Sequence, residues 1–595
     1  MDIGLVDLFN ERYIDEKNAK KIVNDINKLH YYLVKFFLDV KMLDSGTNEQ
    51  IDKVYDEALE IDNCFFTHAS DAKLGPNTCQ YLNDIHVNLA YYCGDKRKFC
   101  AYVRTRIFKP DYLAIITPEY YAFKKAIMFI TPYQNDFERI VSCPSTRRLQ
   151  DKAQVFSLEA FDFVRTRLTH SNEVSAVAEQ LLQKMFYDQS LTALNTNAYK
   201  MSKLEDLATI CRCASLLHDI GNPPFGHYGE SIIRTFYKKV FYPEKFKISE
   251  SVSKRIGANS LNVDNIITDP QMINDFTKFD GNAQAFRVIN TLQPYRDKKS
   301  LNLTASVIRS IIKYPCKSSP SIEDGKFGYF YSEKDFISFL ENKAGYQDGY
   351  VYLPALIMEV SDDICYNISD FEDSYKKGLI TYEHISNLDT SHESKEVQDF
   401  FKKFEKYYKL NKGLYDDPLE VTLNSLSRAL KNDLVCEAAY VLFDQSKLNM
   451  CLDRTKKNSH VLDYVPSYSI CRFIKDKLIK PNVYKSRLIS QCELEADTIL
   501  SYLLTEFTNA VLLVDFEAGK NQNFKSEELL NIEKYKKIIN LISKHIIDRY
   551  KEKANAKQTT PAEKLYYRLK IVVDYISGMT DSFAKYVFKT LTGQQ

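Results

Sequence analysis

Apolar residues recur at intervals of three or four along much of the chain, the spacing that places them on one face of an α-helix. Ile22, Ile26 and Leu29 follow this spacing within residues 16–40, and the apolar residues of 203–218 repeat it. No region is dominated by the alternation of apolar and polar residues that is typical of β-strands. The pattern therefore predicts a mainly α fold.

The most informative predicted helix covers residues 352–377. Asp362, Tyr366 and Asp370 follow one another at intervals of four residues, so their side chains stack along one face of this helix. Apolar residues such as Ile364 occupy the other side. The pattern therefore predicts a row of polar side chains on a helix that is otherwise packed.

A short segment, residues 215–230, concentrates groups that can bind a metal or move protons. His218 and Asp219 end an apolar run and supply an imidazole and a carboxylate, ligand types that suit a hydrolytic transition metal. The Gly and Pro residues that follow stop the helix and open a loop. His227 and Glu230 then stand three residues apart, on one face of a new predicted helix. The segment therefore offers metal ligands and a candidate acid/base pair.

Composition narrows the classes of protein to which the chain can belong. Hydrophobic residues make up 45% of the 595 residues and charged residues 27%, as in ordinary folded globular proteins. The 80 Lys and Arg residues balance the 79 Asp and Glu residues, so an anionic ligand must be held by a local cluster of cations. The 13 cysteines lack the spacing of a disulfide framework. No apolar run approaches the roughly 20 residues that cross a bilayer. We expect a cytoplasmic protein that does not enter a membrane.

Four candidate metal ligands stand on three predicted helices: His170, His218, Asp219 and Asp362. Each of them alone is a weak signal, but together they supply two imidazoles and two carboxylates and leave coordination positions open for a reacting water. Their order, H…HD…D, resembles the pattern of the HD phosphohydrolase superfamily.

A series of further motifs, in the same order, resembles the bacterial deoxyguanosine triphosphate triphosphohydrolases. They are RRLQDKAQVF (147–156), RLTH (167–170), HDIGNPPFGH (218–227), GNAQAFR (281–287), LNLT (301–304), KYP (313–315), KFGY (326–329), DDICY (362–366) and DYISGMTD (574–581). The likeness is dense between residues 131 and 380 and returns near the C terminus. The chain departs from the family in Ala153, where Thr is more common, and in its long N-terminal region, which has no recognised counterpart.

The helical rhythm and this resemblance together predict three regions of the chain. From the rhythm, residues 1–130 are expected to be an N-terminal helical extension of unknown role. By resemblance, residues 131–380 are expected to form the HD catalytic core, and residues 381–595 a C-terminal helical region that packs on the core and completes the fold. Within the core, residues 242–280 are polar and predicted to be rich in loops.

The resemblance also implies a reaction, the hydrolysis of a deoxynucleoside triphosphate, with dGTP favoured, to the deoxynucleoside and inorganic triphosphate. A divalent ion, Mn or Mg, is expected on the four ligands. His227 is the candidate donor of a proton to the departing 5′ oxygen, and Glu230 is expected to orient its ring.

Substrate recognition is expected to use two groups of residues, again by resemblance. Local cations must hold the triphosphate, with Arg suited to bidentate contacts and Lys to point-charge contacts. The motif-matched cations are Arg167, Lys313 and Lys326.

The deoxyribose is expected to contact Gln154, Tyr366 and Asp370. Gln154 and Asp370 would bond the 3′ hydroxyl, and Tyr366 would fill the space that a 2′ hydroxyl needs. Relatives of this kind also form homo-oligomers, either hexamers or tetramers, and respond to single-stranded DNA or nucleotide effectors.

Two other functions stay open at this point. The first is an HD phosphohydrolase that acts on another nucleotide, such as a nucleoside monophosphate, a cyclic dinucleotide or a guanosine alarmone. The motif at 147–156, Lys326 and Tyr366 argue against it. The second is a nucleotide- or DNA-binding regulator with a vestigial HD site, which the complete set of ligands argues against.

Overall fold

The computed structural model describes residues 51–56, 58–59, 96, 131–154, 163–190, 198–242, 266–293, 300–319, 326–455, 460–514, 526–556 and 558–594. The chain divides into two compact units, Met1–Asn135 and Asp136–Gln595. In the first unit, residues 51–56 are helical and Lys96 Nζ lies 2.9 Å from Asp52 Oδ1. The helix predicted over residues 16–40 lies outside the described residues, and the division into three regions stays a prediction.

The described residues form helices and isolated β-bridges but no strand, which confirms the predicted mainly α fold. The α-helices are α1 (Pro132–Ser142), α2 (Pro144–Arg148), α3 (Arg167–Ser190), α4 (Ala198–Leu217), α5 (Gly226–Phe241), α6 (Pro270–Thr277), α7 (Gly281–Arg287), α8 (Ala305–Ser310), α9 (Lys334–Ala344), α10 (Leu353–Lys376), α11 (Tyr382–Ser386), α12 (Lys395–Asn411), α13 (Pro418–Phe443), α14 (Gln445–Leu452), α15 (Tyr468–Ile474), α16 (Arg487–Leu513), α17 (Ser526–Ile539), α18 (Lys544–Ala554), α19 (Pro561–Ser577) and α20 (Asp581–Thr592). Short 3₁₀ segments cover Leu149–Asp151, Tyr331–Glu333 and Val461–Tyr464, and π-helical segments cover Val288–Leu292 and Lys475–Tyr484. In the part of the chain that the structure describes, no helix is both long and apolar enough to cross a membrane.

One difference from the sequence-based expectation lies in the polar stretch 242–280, which contains helix α6. This helix has a complete start signal, because the Asp269 side chain accepts a hydrogen bond from the Gln271 backbone N–H at 2.8 Å and Pro270 occupies the first turn. Its apolar residue Phe276 is fully buried. A short helix with one apolar face contributes few apolar residues, so the pattern of a largely polar stretch does not reveal it.

A first apolar cluster packs α3 against α4, α10 and α13. Val174, Leu207, Ile364 and Leu434, one from each helix, are almost completely buried. Burying a side chain of this size contributes about 1.5–3 kcal/mol. The cluster fixes the three helices on which the candidate metal ligands were predicted.

A second apolar cluster packs α5 and α6 against α16 and α19. The Phe276 ring lies at its centre, with ring centroids 4.8 Å from Tyr237 of α5 and 5.4 Å from Tyr566 of α19. Leu503 of α16 and Leu569 of α19 are fully buried beside them. This cluster therefore fixes helix α5, which carries the candidate acid/base pair.

Removing the central ring tests this packing. We expect Phe276→Ala to lower the free energy of unfolding by about 3–5 kcal/mol, because it leaves a cavity among rigid neighbours. Phe339→Ala is the matched control, since Phe339 is 44% exposed and its truncation should change stability by only about 0.5 kcal/mol. Urea denaturation measures both, and equal effects would contradict the assigned core.

Candidate metal centre and active site

Three helices bring the predicted metal ligands together. Helix α3 begins at Arg167, so His170 lies in its first turn. Helix α4 ends at Leu217, and His218 and Asp219 follow directly in the turn after it. Asp362 projects from the middle of α10.

The four ligand side chains form one compact group. His170, His218 and Asp219 each present a ligand atom, and these atoms lie within 4.8 Å of one another. Asp362 Oδ1 lies 3.0 Å from His170 Nε2 and 3.6 Å from His218 Nε2. Asp219 Oδ2 lies 3.4 Å from His218 Nε2 on another side. This is the donor set of nitrogen and oxygen atoms that a divalent transition metal takes.

His218 supplies the best test of whether a metal fits. Its Nδ1 donates a hydrogen bond to the Ser215 carbonyl at 2.6 Å, so Nε2 is the ring nitrogen that faces the carboxylates. Nε2 is buried, and no hydrogen bond in the described part of the chain satisfies it. Buried polar atoms are rarely left without a partner. A divalent metal ion held by His218 and the two carboxylates would satisfy this atom, so these residues fit such an ion.

Both carboxylates of the group are held in their charged form. Burial acts to raise the pKa of Asp219, but the Arg167 guanidinium, whose Nη1 lies 2.6 Å from Oδ2, and His218 outweigh it and lower the pKa. Burial likewise opposes the ionisation of Asp362, but His218, His170 and Lys313 lower its pKa. Metal binding requires this ionised form.

The loop between α4 and α5 is shaped by close backbone contacts. A side chain at Gly221 would collide with the backbone of α7, at Ala285 N and Gly281 O. Gly226 has φ +57°, in the left-handed region that glycine adopts without strain, and a Cβ there would lie 2.5 Å from an Arg167 guanidinium nitrogen. The chain therefore passes close to the backbone of α7 at Gly221 and close to the Arg167 guanidinium where α5 begins.

The first turn of α5 carries the predicted acid/base pair. His227 Nδ1 lies 3.3 Å from Glu230 Oε2, and the imidazole is 75% exposed whereas the carboxylate is 3% exposed. Glu230 also accepts hydrogen bonds from the Gly281 N–H at 2.7 Å and from Arg234 at 3.1 Å. Burial opposes its ionisation, but His227, Lys326 and Arg234 lower the pKa of Glu230 to about 2. A fixed anion therefore lies behind an accessible imidazole.

Of the predicted phosphate-binding cations, the two lysines lie near one tyrosine ring, whereas the arginine is buried against a metal ligand. Lys313 Nζ lies 3.5 Å from Asp362 Oδ2, and Lys326 Nζ lies 3.7 Å from Asp280 Oδ2. The Tyr314 ring is within reach of both lysines, 6.0 Å and 5.7 Å from the two Nζ atoms. Arg167 is buried against Asp219, so its guanidinium faces the metal ligands.

The predicted sugar-binding residues of α10 are joined by a residue that the sequence did not single out. The hydroxyls of Tyr366 and Tyr484 are 2.6 Å apart, and the Tyr484 hydroxyl donates to Asp370 Oδ2 at 2.7 Å. Burial raises the pKa of Asp370 to about 6. Lys475 Nζ lies 5.1 Å from the centre of the Tyr366 ring.

Tyr484 and Lys475, which the sequence did not single out, both belong to the π-helical segment Lys475–Tyr484, more than a hundred positions after Tyr366. A local pattern of apolar and polar residues carries no signal for such a contact. Gln154 lies elsewhere, next to the Ala153–Thr166 bridge that leads into α3, and its buried Oε1 has no hydrogen-bond partner among the described residues.

Comparison with known proteins places this geometry in a family. The profile of the HD domain matches residues 167–273, which include His170, His218 and Asp219. A deoxyguanosinetriphosphate triphosphohydrolase-like protein of Listeria monocytogenes serovar 1/2a is 32% identical over 471 residues, covering 78% of this chain and 94% of the relative. A deoxyguanosinetriphosphate triphosphohydrolase of Yersinia pseudotuberculosis is 29% identical over 490 residues, covering 76% and 92%.

A deoxyguanosinetriphosphate triphosphohydrolase-like protein of Synechocystis sp. is 28% identical over 485 residues, covering 78% of this chain and 94% of the relative. These similarities extend far beyond the HD domain, across most of the length of each relative. The chain therefore belongs to the deoxyguanosinetriphosphate triphosphohydrolase family of the HD phosphohydrolase superfamily.

Proposed function

We propose that the protein hydrolyses a deoxynucleoside triphosphate, with dGTP preferred, to the deoxynucleoside and inorganic triphosphate. The observation that carries this proposal is the buried His218 Nε2, which has no hydrogen-bond partner among the described residues and faces two ionised carboxylates. The exposed His227 imidazole, paired with Glu230, supplies the candidate acid. The names of the relatives in the family support the choice of dGTP.

The proposed cofactor is Mn or Mg, held by His170, His218, Asp219 and Asp362. When bound, such an ion supplies Lewis-acid polarisation of a phosphate and a lower pKa for water. The protein's own contribution is to keep the ligands oriented. The side chains of Arg167 and Asn222 both hydrogen-bond to Asp219, which fixes the direction of its carboxylate.

In the proposed reaction, water attacks the α-phosphorus and the bond between phosphorus and the 5′ oxygen breaks. His227 donates a proton to the departing 5′ oxygen, so that the deoxynucleoside leaves as an alcohol. Glu230 stays ionised through the neutral range, because its pKa is about 2, and its charge stabilises the protonated ring. Triphosphate then leaves as the second product.

Charge around the site matches a polyphosphate. We assign Lys313 and Lys326 to the triphosphate, with the Tyr314 ring near both side chains, 6.0 Å and 5.7 Å from the two Nζ atoms. Arg167 is assigned to the phosphate nearest the ion, because its guanidinium already lies against Asp219. The chain as a whole carries almost no net charge, so it does not attract an anion over a distance. These three cations instead offset the negative charge of the triphosphate locally.

Sugar selection is assigned to Tyr366 and Asp370, with Gln154 as a further partner of the 3′ hydroxyl. The Tyr366–Tyr484–Asp370 hydrogen bonds keep the ring of Tyr366 in one orientation. A fixed ring that fills the 2′ position would exclude ribonucleotides. The homo-oligomer, its size, the response to single-stranded DNA or nucleotides and the cytoplasmic location stay predictions.

The reaction and its metal dependence are tested together. We expect the purified protein, given each of the four dNTPs singly and mixed with Mg or Mn, to release inorganic triphosphate and to act fastest on dGTP. Asp219→Asn should lower this rate by at least about 100-fold and reduce bound metal, because a neutral amide is a poor ligand. Asp416→Asn, which alters an exposed carboxylate in the loop before α13, is the control. Release of monophosphate or pyrophosphate in place of triphosphate would refute the proposal.

The role of the acid can be separated from metal binding. His227→Ala should lower kcat by about 100-fold to 10,000-fold and leave bound metal unchanged, since His227 pairs with Glu230 and is not a ligand. His392→Ala, on an exposed loop, should have no effect. A substrate with a sulfur in place of the 5′ oxygen needs no proton to leave, so the variant should recover most of the lost rate with it. An equal loss on both substrates would exclude His227 as the proton donor.

Sugar discrimination is measured as the ratio of kcat/KM for dGTP and GTP. We expect the wild type to prefer dGTP by about 100-fold or more, and Tyr366→Ala to reduce this ratio about tenfold by opening space for a 2′ hydroxyl. Tyr440→Ala, which removes a 70% exposed ring, is the control. Equal turnover of dGTP and GTP by the wild type would contradict the assignment of Tyr366.

A further inference from the structure

Asp581, the first residue of α20, joins two segments of the active site that are far from it in sequence. Its side chain is buried, and Oδ1 accepts a hydrogen bond from the Phe225 N–H at 2.9 Å. Its other oxygen, Oδ2, accepts one from the Ala153 N–H at 3.1 Å. One carboxylate therefore satisfies two backbone donors, at separations of 356 and 428 positions along the chain.

The first of these contacts holds an unfavourable backbone conformation. Phe225 has φ +62°, a left-handed value that a bulky residue rarely adopts. It directly precedes Gly226, the first residue of α5, so the Phe225 turn sets where His227 is presented. The Asp581 carboxylate is the acceptor for the N–H of this turn, so its loss would remove one of the contacts that hold the left-handed conformation.

The second contact leads to the metal centre. Ala153 pairs with Thr166 in an isolated antiparallel bridge, and the Arg167 N–H donates to the Lys152 carbonyl at 2.9 Å. The segment that Asp581 holds is therefore attached to the start of α3, where His170 lies. Asp581 thus spans the gap between the loop that presents the acid and the helix that presents a metal ligand.

Lys152 reinforces the same connection. Its buried Nζ donates to the Asn222 carbonyl at 2.5 Å, in the loop between α4 and α5, and to the Ser577 carbonyl at 2.9 Å, at the end of α19. Asp581 and Lys152 thus tie the loop before α5 to the C-terminal helices at two points.

We propose that Asp581 is a positioning residue for the reaction, which holds the Phe225 turn so that His227 stays in register with the metal ligands. This inference rests on the proposed function, since it assigns His227 as the proton donor. It gives the C-terminal helix a role in the chemistry although none of its residues is assigned to touch the substrate.

The test compares Asp581→Asn with Ser582→Ala. The Asn side chain has the same shape but only one acceptor oxygen, so one of the two backbone N–H groups loses its partner. Ser582 is the next residue of the same helix, and its hydroxyl donates to Asp151 at 2.8 Å on the surface, so Ser582→Ala loosens the helix without touching the Phe225 turn. Asp581→Glu is measured in parallel, because it keeps the charge and both oxygens if the Asn variant does not fold.

We expect Asp581→Asn to lower kcat for triphosphate release by about 10-fold to 100-fold, with KM within about threefold of the wild type, as for a misplaced catalytic group. In a His227→Ala background the same change should cause no further loss, because the residue it positions is gone. Asp581→Glu should also lower kcat in the wild-type background and cause no further loss in the His227→Ala background, since its longer side chain displaces the turn. Ser582→Ala should match the wild type.

Hydrogen exchange of the peptide 219–228 supplies a readout that needs no activity. Asp581→Ala removes both acceptor oxygens, so it should lose protection at Phe225, and Ser582→Ala should keep it. A kcat within twofold of the wild type for both Asp581→Asn and Asp581→Glu, or a loss that multiplies with that of His227→Ala, would overturn the inference. A wild type that releases no triphosphate would instead refute the proposed function, and unchanged exchange at Phe225 in Asp581→Ala would then overturn the inference by itself.

Discussion

The burial of two ionised carboxylates is the constraint on which the site depends. Asp219 and Asp362 are largely removed from water, where an unpaired charge is very costly. Each is therefore surrounded by cationic or donating groups, Arg167 on one and Lys313 on the other, with His218 between them. These partners keep both groups ionised without a metal, which preserves the ligands in the state that binds one. The same positive groups then lie where a polyphosphate would bring further negative charge.

The acid/base pair differs from the metal ligands, which are all largely buried. Its anion, Glu230, is buried, whereas its imidazole, His227, is accessible to solvent. Glu230 keeps its charge because a backbone N–H, Arg234 and His227 all point at it. The imidazole can exchange protons with a substrate while the carboxylate behind it is shielded from solvent. A pair with both members exposed would be weakened by water and salt.

The sequence could predict those parts of the site that depend on neighbouring positions in the chain. Asp362, Tyr366 and Asp370 share a face because the helical repeat is a local property, and α10 lies within one residue of its predicted bounds at each end. The end of a helix next to His218 and the start of another next to His227 follow from Gly and Pro chemistry in the same way, although α4 ends one residue earlier than predicted, at Leu217. Tyr314 could have been noticed, since it lies beside Lys313 in a motif.

Tyr484 and Asp581 could not have been assigned a role from local patterns, because their contacts join segments more than a hundred positions apart. Tyr484 reaches α10 from a π-helical segment, a departure from regular geometry that periodicity does not predict. Asp581 belongs to a motif that resembles the family, but the resemblance supplied no role for it. Its role depends on the strained turn at Phe225, which only the fold reveals.

The metal ligands and the acid belong to different apolar clusters, and this division explains why contacts between distant segments matter. Helices α3, α4 and α10 are fixed by the first cluster, whereas α5 is fixed by the second. Packing within each cluster fixes the positions of its own helices relative to one another. The distance between the metal ligands and His227 depends instead on the residues that join the two sets of helices, such as Asp581 and Lys152. Directional hydrogen bonds are suited to that task, because they fix atoms to within tenths of an ångström where apolar contacts tolerate sliding. The register between acid and metal is therefore a property of the junction, and a change there can alter catalysis while both cores stay intact.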